Sequence, residues 1–146
     1  MGRNTLVLNT TGTDNVAVGA YALDANTTGN DNTAIGDNAL GANTTANSSV
    51  AVGSSALLVN TTGARNIGIG MQALTDNTTA DDNIGIGYRA LYENTTGTLN
   101  VAIGSSALLA NTTADQNTAI GYTALTANTT GENNTCLLYT SPSPRD

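Results

Sequence analysis

The chain has 146 residues, enough for one or at most two ordinary domains, and carries 4 basic against 11 acidic side chains, a net charge of −7. Histidine, lysine, phenylalanine and tryptophan are absent and the one cysteine, Cys136, stands near the end, which excludes Ser-His-Asp triads, His/Cys zinc sites and haem ligation. The acidic balance argues against a nucleic-acid partner, and five tyrosines as the only aromatics leave a thin, aliphatic core.

One period organises the chain. Glycine recurs every 17 residues from Gly2 to Gly121, leucine from Leu6 to Leu125, and the triplet Asn-Thr-Thr from Asn9 to Asn128. In chain order this gives a partial unit (1–8), seven complete units (9–127) and a second partial unit (128–135). Each unit reads approximately N-T-T-[GA]-x-x-N-[VIT]-[AG]-[VI]-G-x-x-A-L-x-x. Residues 1–135 are therefore expected to form one repeat array, a window cut from a longer one, since both ends fall inside a unit. The tail CLLYTSPSPRD departs from the pattern and resembles the translation of one frame of a common sequencing adapter. Residues 136–146 are accordingly expected to be a non-native, disordered tail outside the array, as in a metagenomic fragment.

Within a unit, counted from its Asn-Thr-Thr, the first four residues suit a turn because Asn and Thr side chains bond nearby backbone. Positions 7–10, such as Asn15-Val16-Ala17-Val18, alternate β-branched and small residues at period two and predict a strand. The glycine at position 11 predicts a corner. The Ala-Leu pair at positions 14 and 15 predicts a second short strand with Leu inward. A unit of 17 residues is too short for a helical hairpin, so the expected fold is all-β, a parallel β-solenoid of 17-residue coils rising about 4.8 Å per coil. The expected inward columns are the Val/Ile/Thr of positions 8 and 10 and the Leu of position 15. Asparagines at positions 1 and 7 would stack into side-chain ladders, the second interrupted only by Ser49.

The stretches NVAVG, NTAIG, SVAVG, NIGIG and NVAIG resemble the head repeats of YadA-like trimeric autotransporter adhesins and the related β-roll repeats of phage tail fibres. That resemblance implies a left-handed parallel β-roll in which three chains associate side by side, on a cell surface or a virion tail.

Other motifs yield to the repeat. Gly68-Ile69-Gly70-Met71-Gln72-Ala73 and Gly85-Ile86-Gly87-Tyr88-Arg89-Ala90 match a dinucleotide-binding pattern but lie in repeat register. Every Asn-Thr-Thr is a glycosylation sequon, and Asn47-Ser48-Ser49 and Asn133-Asn134-Thr135 add two, yet a periodic turn accounts for the spacing without sugar. Acids at positions 5 and 6 (Asp14, Asp31, Asp81, Asp82, Asp115, Glu132) suit a solvated stripe better than a calcium site. The Ser pairs Ser54-Ser55 and Ser105-Ser106 have no base to activate them. No catalytic residue, cofactor or metal site is expected.

The reading is thus a non-catalytic structural or adhesive segment of an extracellular adhesin or phage tail fibre. An ice-binding solenoid, using ranks of Thr, and a spacer with no ligand are the alternatives. A host-surface or matrix ligand would meet the variable outward positions 12, 13, 16 and 17, namely Tyr21, Leu58, Met71, Tyr88, Arg89, Tyr92, Leu109 and Tyr122. The small residues of position 9, Ala17, Ala34, Ala51, Gly68, Gly85, Ala102 and Ala119, are expected to form a flat outward face for a homo-oligomer, with the position 14 alanines, Ala22 to Ala124, joining it if they too face outward. A trimer is the state that the resemblance implies.

Overall fold

The computed structural model describes residues 2–138. They form a parallel β-solenoid with eight three-residue strands: β1 (Val16–Val18), β2 (Thr33–Ile35), β3 (Val50–Val52), β4 (Ile67–Ile69), β5 (Ile84–Ile86), β6 (Val101–Ile103), β7 (Thr118–Ile120) and β8 (Thr135–Leu137). The strands make one sheet in sequential order, all parallel, and equivalent residues of successive units lie opposite one another, as Ala17 does Ala34 and Gly68 does Gly85. No helix occurs among the described residues. Seven steps between strands give a rod about 34 Å long at the spacing of a β-ladder.

The glycine that ends each strand is required twice over. Gly70 has φ +129°, and a Cβ built on it would stand 2.5 Å from the carbonyl oxygen of Gly87 in the next coil. Backbone strain and backbone collision both exclude a side chain there.

The Ala-Leu segment corrects the expectation of a second strand. It is a turn in which positions 13 and 15 are left-handed, for example Gln72 at φ 60° and Leu74 at φ 52°. Coil-to-coil bonding continues there, with the Leu57 N–H donating to the Ala73 carbonyl at 3.0 Å, so the side is laddered without being extended. A left-handed leucine costs about 1 kcal/mol, which full burial of its side chain, worth about 2 kcal/mol, offsets. Leu23, Leu40, Leu57, Leu74, Leu91 and Leu108 are all fully buried, as expected.

The strand faces the other way from the expectation. Position 9 points inward: Ala34, Ala51, Ala102 and Ala119 are fully buried, Gly68 and Gly85 are buried and Ala17 in the first strand is half-buried. The Val, Ile and Thr of positions 8 and 10 point outward. Width is the reason. A Cβ on Gly68 would already lie 3.2 Å from Leu57 Cγ, and one on Gly85 would lie 3.1 Å from Leu74 Cγ and 3.0 Å from the Ala90 carbonyl. The interior thus holds Leu on one side and Ala or Gly on the other, with the position 14 alanines (Ala22, Ala39, Ala56, Ala73, Ala90, Ala107, Ala124) buried beside them.

Two asparagine ladders close the remaining interior. On the first, Asn26 Nδ2 donates to Asn9 Oδ1 at 2.8 Å and Asn77 Nδ2 to Asn60 Oδ1 at 2.8 Å, each also reaching a position 4 carbonyl. On the second, Asn32 Oδ1 accepts the Ser49 N–H at 3.0 Å while its Nδ2 donates to the Ala46 carbonyl at 2.8 Å. These amides satisfy inward carbonyls that an apolar filling would leave unpaired.

The segment expected to leave the solenoid after Thr135 does not do so at once. Cys136 takes the place opposite Ala119 and Leu137 that opposite Ile120, and the Leu138 N–H donates to the Ile120 carbonyl at 2.8 Å. Thr-Cys-Leu keeps the small residue inward between two larger outward ones, and the ladder itself is backbone, so these three residues fit despite their different sequence. Residues 139–146 of the expected tail lie outside the described residues.

Candidate interaction surface

The outward face of the sheet is two columns wide and one strand long per coil. Its side chains are Val16 and Val18, Thr33 and Ile35, Val50 and Val52, Ile67 and Ile69, and so on to Leu137, with no charged residue among them. Exposure runs from 36% at Ile103 to 50% at Val16 in the seven strands of the complete units, for those large residues that are most open. Three residues of strand span about 10 Å, so the stripe lies within about 10 Å by 34 Å, interrupted by Thr33 and Thr118 and half-buried in β3, β5 and β7. Apolar patches of a few hundred Å² are the largest that ordinary soluble monomers carry, and they are often functional.

The sequence reading placed the opposite columns on the outside. The face offered for oligomerisation, Ala17, Ala34, Ala51, Gly68, Gly85, Ala102 and Ala119, is core, and small because the interior is narrow. A signal was present: Asn at position 7 shares its parity with position 9. Six amides and one serine beside seven small residues on one face suit a close-packed, internally bonded interior.

The residues expected to face outward differ in exposure. Met71, Tyr88 and Tyr122 are exposed, and Tyr21, Leu58, Arg89, Tyr92 and Leu109 are half-buried. Three of them meet: the Arg89 guanidinium lies 4.3 Å from the Tyr92 ring centroid and 5.8 Å from that of Tyr88, a cation–π cluster. Its Nε is buried and has no hydrogen-bond acceptor. At the other end Arg3 lies 5.9 Å from the Tyr21 ring. The remaining members, Leu58, Met71, Leu109 and Tyr122, are not in this cluster.

The carboxyls of Asp76 and Asp82 are shifted in opposite directions from the ordinary value. Partial burial, and then the nearby charge of Glu93, raise Asp76 above the ordinary carboxylate value, opposed by Arg89. The hydrogen bond from Arg65 lowers Asp82. Arg65 Nε lies 2.7 Å from Asp82 Oδ1, and Arg65 Nη2 lies 3.2 Å from Asp81 Oδ2, linking one coil to the next. No group of three or more His, Cys, Asp or Glu side chains among the described residues is arranged to hold a metal ion.

The other motifs acquire definite places. The glycine-rich matches fall in β4 and β5 and the turns after them, and no helix follows either. In the complete units the sequon asparagines of Asn-Thr-Thr from Asn26 to Asn111 are fully buried, with their amide nitrogens bonded inside the coil, so a folded coil offers no room for sugar on them. Asn47 and Asn133 are exposed. Of the two threonine columns, position 2 is half-buried along coils 2 to 7 and in coils 1 to 6 donates to the next coil, as Thr27 Oγ1 does to the Thr44 carbonyl at 3.0 Å. Position 3 (Thr11, Thr28, Thr45, Thr62 and their successors) forms one exposed rank. No helix among the described residues is long and apolar enough to cross a membrane.

Compared with known proteins, the chain matches no family model, no curated protein and no solved structure.

Proposed function

We propose that this chain is a structural and adhesive repeat segment of an extracellular fibre, a cell-surface adhesin or a phage tail fibre, and that it works without catalysis as a rigid rod. In this reading copies of the chain associate side by side, as a trimer, through the Val/Ile face of the sheet. The observation that carries it is the uncharged, β-branched stripe running the full length of the rod. Exposed apolar residues that alternate with a buried, invariantly small column are not needed for the core, yet aliphatic residues hold nearly every place in the stripe. Burying the stripe would add the hydrophobic stabilisation that so thin an interior lacks. The tyrosines and Arg89 beside the sheet then remain free to meet a host-surface or matrix ligand.

Sedimentation equilibrium tests the association. The protein is expected to sediment as a trimer. The triple substitution Val52→Lys, Ile69→Lys, Ile86→Lys is expected to yield monomers that retain β circular dichroism, because only outward positions change. A native protein that stays monomeric at high concentration overturns the proposal. The exposed position 3 threonine rank favours ice binding as a second reading, and thermal hysteresis in a monomeric sample would place it first. A monomer with neither property would leave the spacer reading.

A further inference from the structure

We infer that the joint between the third coil (43–59) and the fourth (60–76) is a built-in opening point, where the rod parts first. On the Asn-Thr-Thr side three side-chain links distinguish one joint from another, beside the position 2 threonine hydroxyl bond that the 3/4 joint keeps as its neighbours do (Thr44 to the Thr61 carbonyl, 3.1 Å); on the turn side the 3/4 joint also has the Thr75 hydroxyl bonded to the Ser55 carbonyl at 3.1 Å. The position 1 amides bond one another, the position 5 backbone N–H donates to the side-chain oxygen of the next position 5, and the position 7 amide donates to the next coil's position 4 carbonyl.

All three links are made at the joint below. Asn43 Nδ2 donates to Asn26 Oδ1, the Asn30 N–H to Asn47 Oδ1, and Asn32 Nδ2 to the Ala46 carbonyl, each at 2.8 Å. All three are made at the joint above, through Asn77 to Asn60 at 2.8 Å, the Ala64 N–H to Asp81 at 2.7 Å and Asn66 to the Ala80 carbonyl at 2.7 Å, with Arg65 bonded to Asp82 besides. The joint between the fifth and sixth coils lacks only the position 5 link, keeping Asn94 to Asn77 at 3.0 Å and Asn83 to the Gly97 carbonyl at 2.8 Å.

Between coils 3 and 4 none is made, and among the described residues no other joint between coils lacks all three. Ser49 stands where the amide donor should be, and Ala64 has no side-chain oxygen to accept the Asn47 N–H. Asn60 Nδ2 bonds only the Gly63 carbonyl, at 2.8 Å, which leaves Asn43 Oδ1 buried without a partner. The Ser49 hydroxyl still accepts the Asn66 N–H at 3.2 Å, a longer bond than the 2.9 Å one that Asn66 Oδ1 makes with the Asn83 N–H one coil on. In a linear repeat protein stability is a sum over neighbouring joints, so the least-tied interior joint sets the cheapest opening inside the array.

Native-state hydrogen exchange tests this on the intact chain. Val50, Arg65 and Gly70 donate backbone bonds across the 3/4 joint, as Ile67, Asp82 and Gly87 do across the 4/5 joint. The first set is expected to exchange at least tenfold faster than the second, since one net hydrogen bond shifts an opening equilibrium about twofold to tenfold. Ser49→Asn and Ala64→Asn should each slow the first set by about that factor. Asn83→Ser should speed exchange at the joint between coils 5 and 6. Equal protection at the two joints, or a faster interior joint elsewhere, overturns the inference. So does a folded Ser49→Asn protein with unchanged exchange at Val50, Arg65 and Gly70. If Ser49→Asn loses its β circular dichroism, Ala64→Asn, at a half-buried surface position, decides by the same criterion.

Discussion

The joints on either side of the fourth coil share one backbone ladder and differ in their side chains. Across the lower joint Val50 donates to Asn66, Gly70 to Val52 and Leu57 to Ala73 at 2.8, 2.8 and 3.0 Å; across the upper, Ile67 to Asn83, Gly87 to Ile69 and Leu74 to Ala90 at 2.8, 2.7 and 3.0 Å. Substituting Ser for Asn and Ala for Asp leaves that geometry intact while removing the ties beside it. The backbone thus specifies the shape of a solenoid, and a few side chains grade its strength from coil to coil.

The largest expected effect breaks the stronger joint. Gly70→Ala places a methyl group 2.5 Å from the Gly87 carbonyl at φ +129° and should cost more than about 3 kcal/mol, enough to move the first opening to the 4/5 joint or to abolish cooperative unfolding in denaturant. Gly41→Ala provides the contrast. Its new Cβ would meet nothing closer than 3.4 Å, and stability should stay within about 0.5 kcal/mol.

Leu57→Ala and Leu74→Ala should each destabilise by about 2–5 kcal/mol in equilibrium unfolding, and by similar amounts. Both leucines are fully buried in equivalent places. A large difference between them would trace the unequal joints to packing instead of hydrogen bonding.

Asn77→Ala should cost about 1 kcal/mol more than Asn43→Ala by the same measurement. Asn77 donates to Asn60 and to the Ala80 carbonyl and accepts from Asn94, whereas Asn43 makes only the two donated bonds and its oxygen is already unpaired.

The smallest effect is on pH. Asp82 is lowered in the folded state by its Arg65 hydrogen bond, so its contribution is complete above the unfolded value of 3.8 and fades as pH falls through the lower folded value. Asp76 is raised, so its contribution is complete below 3.8 and fades as pH rises through the higher folded value. The two contributions oppose each other at the acid end, so single variants separate them: Asp82→Asn should remove a loss of melting temperature as pH falls from 7 to 2. Asp76→Asn should raise the melting temperature at pH 7, where the burial penalty on the charged form is present.

Much of the fold is legible in the residues. The glycine column marks the corner because no other residue tolerates that φ beside the next backbone. Asparagine at positions 1 and 7 marks the ladders because only a side chain that both donates and accepts can bond its own kind along an axis. The turn at positions 13 and 15 is not legible. Tyr21, Asn38, Ser55, Gln72, Arg89, Ser106 and Thr123 share no chemistry that favours a left-handed backbone, and leucine disfavours it; the conformation is held by burial of Leu, which exists only once the coil has closed. The tyrosines and Arg89 were legible as outward residues because they vary between units. Their pairing through Arg89 was not, since it depends on the bend that brings positions 12, 13 and 16 together.

By itself, the sequence determined the period, the register and the parallel stacking, since 17-residue spacing without insertion permits only one alignment of glycine on glycine and Asn on Asn. It also determined that the strand has an aliphatic face and a small-residue face. Only the tertiary structure decided which of the two is inside. Hydrophobicity favours burying Val and Ile, but the coil is so narrow that Leu from the turn fills it to within 3.2 Å of where a Cβ would stand on Gly68. Volume therefore overrides hydrophobicity at position 9, and the aliphatic columns are left on the surface.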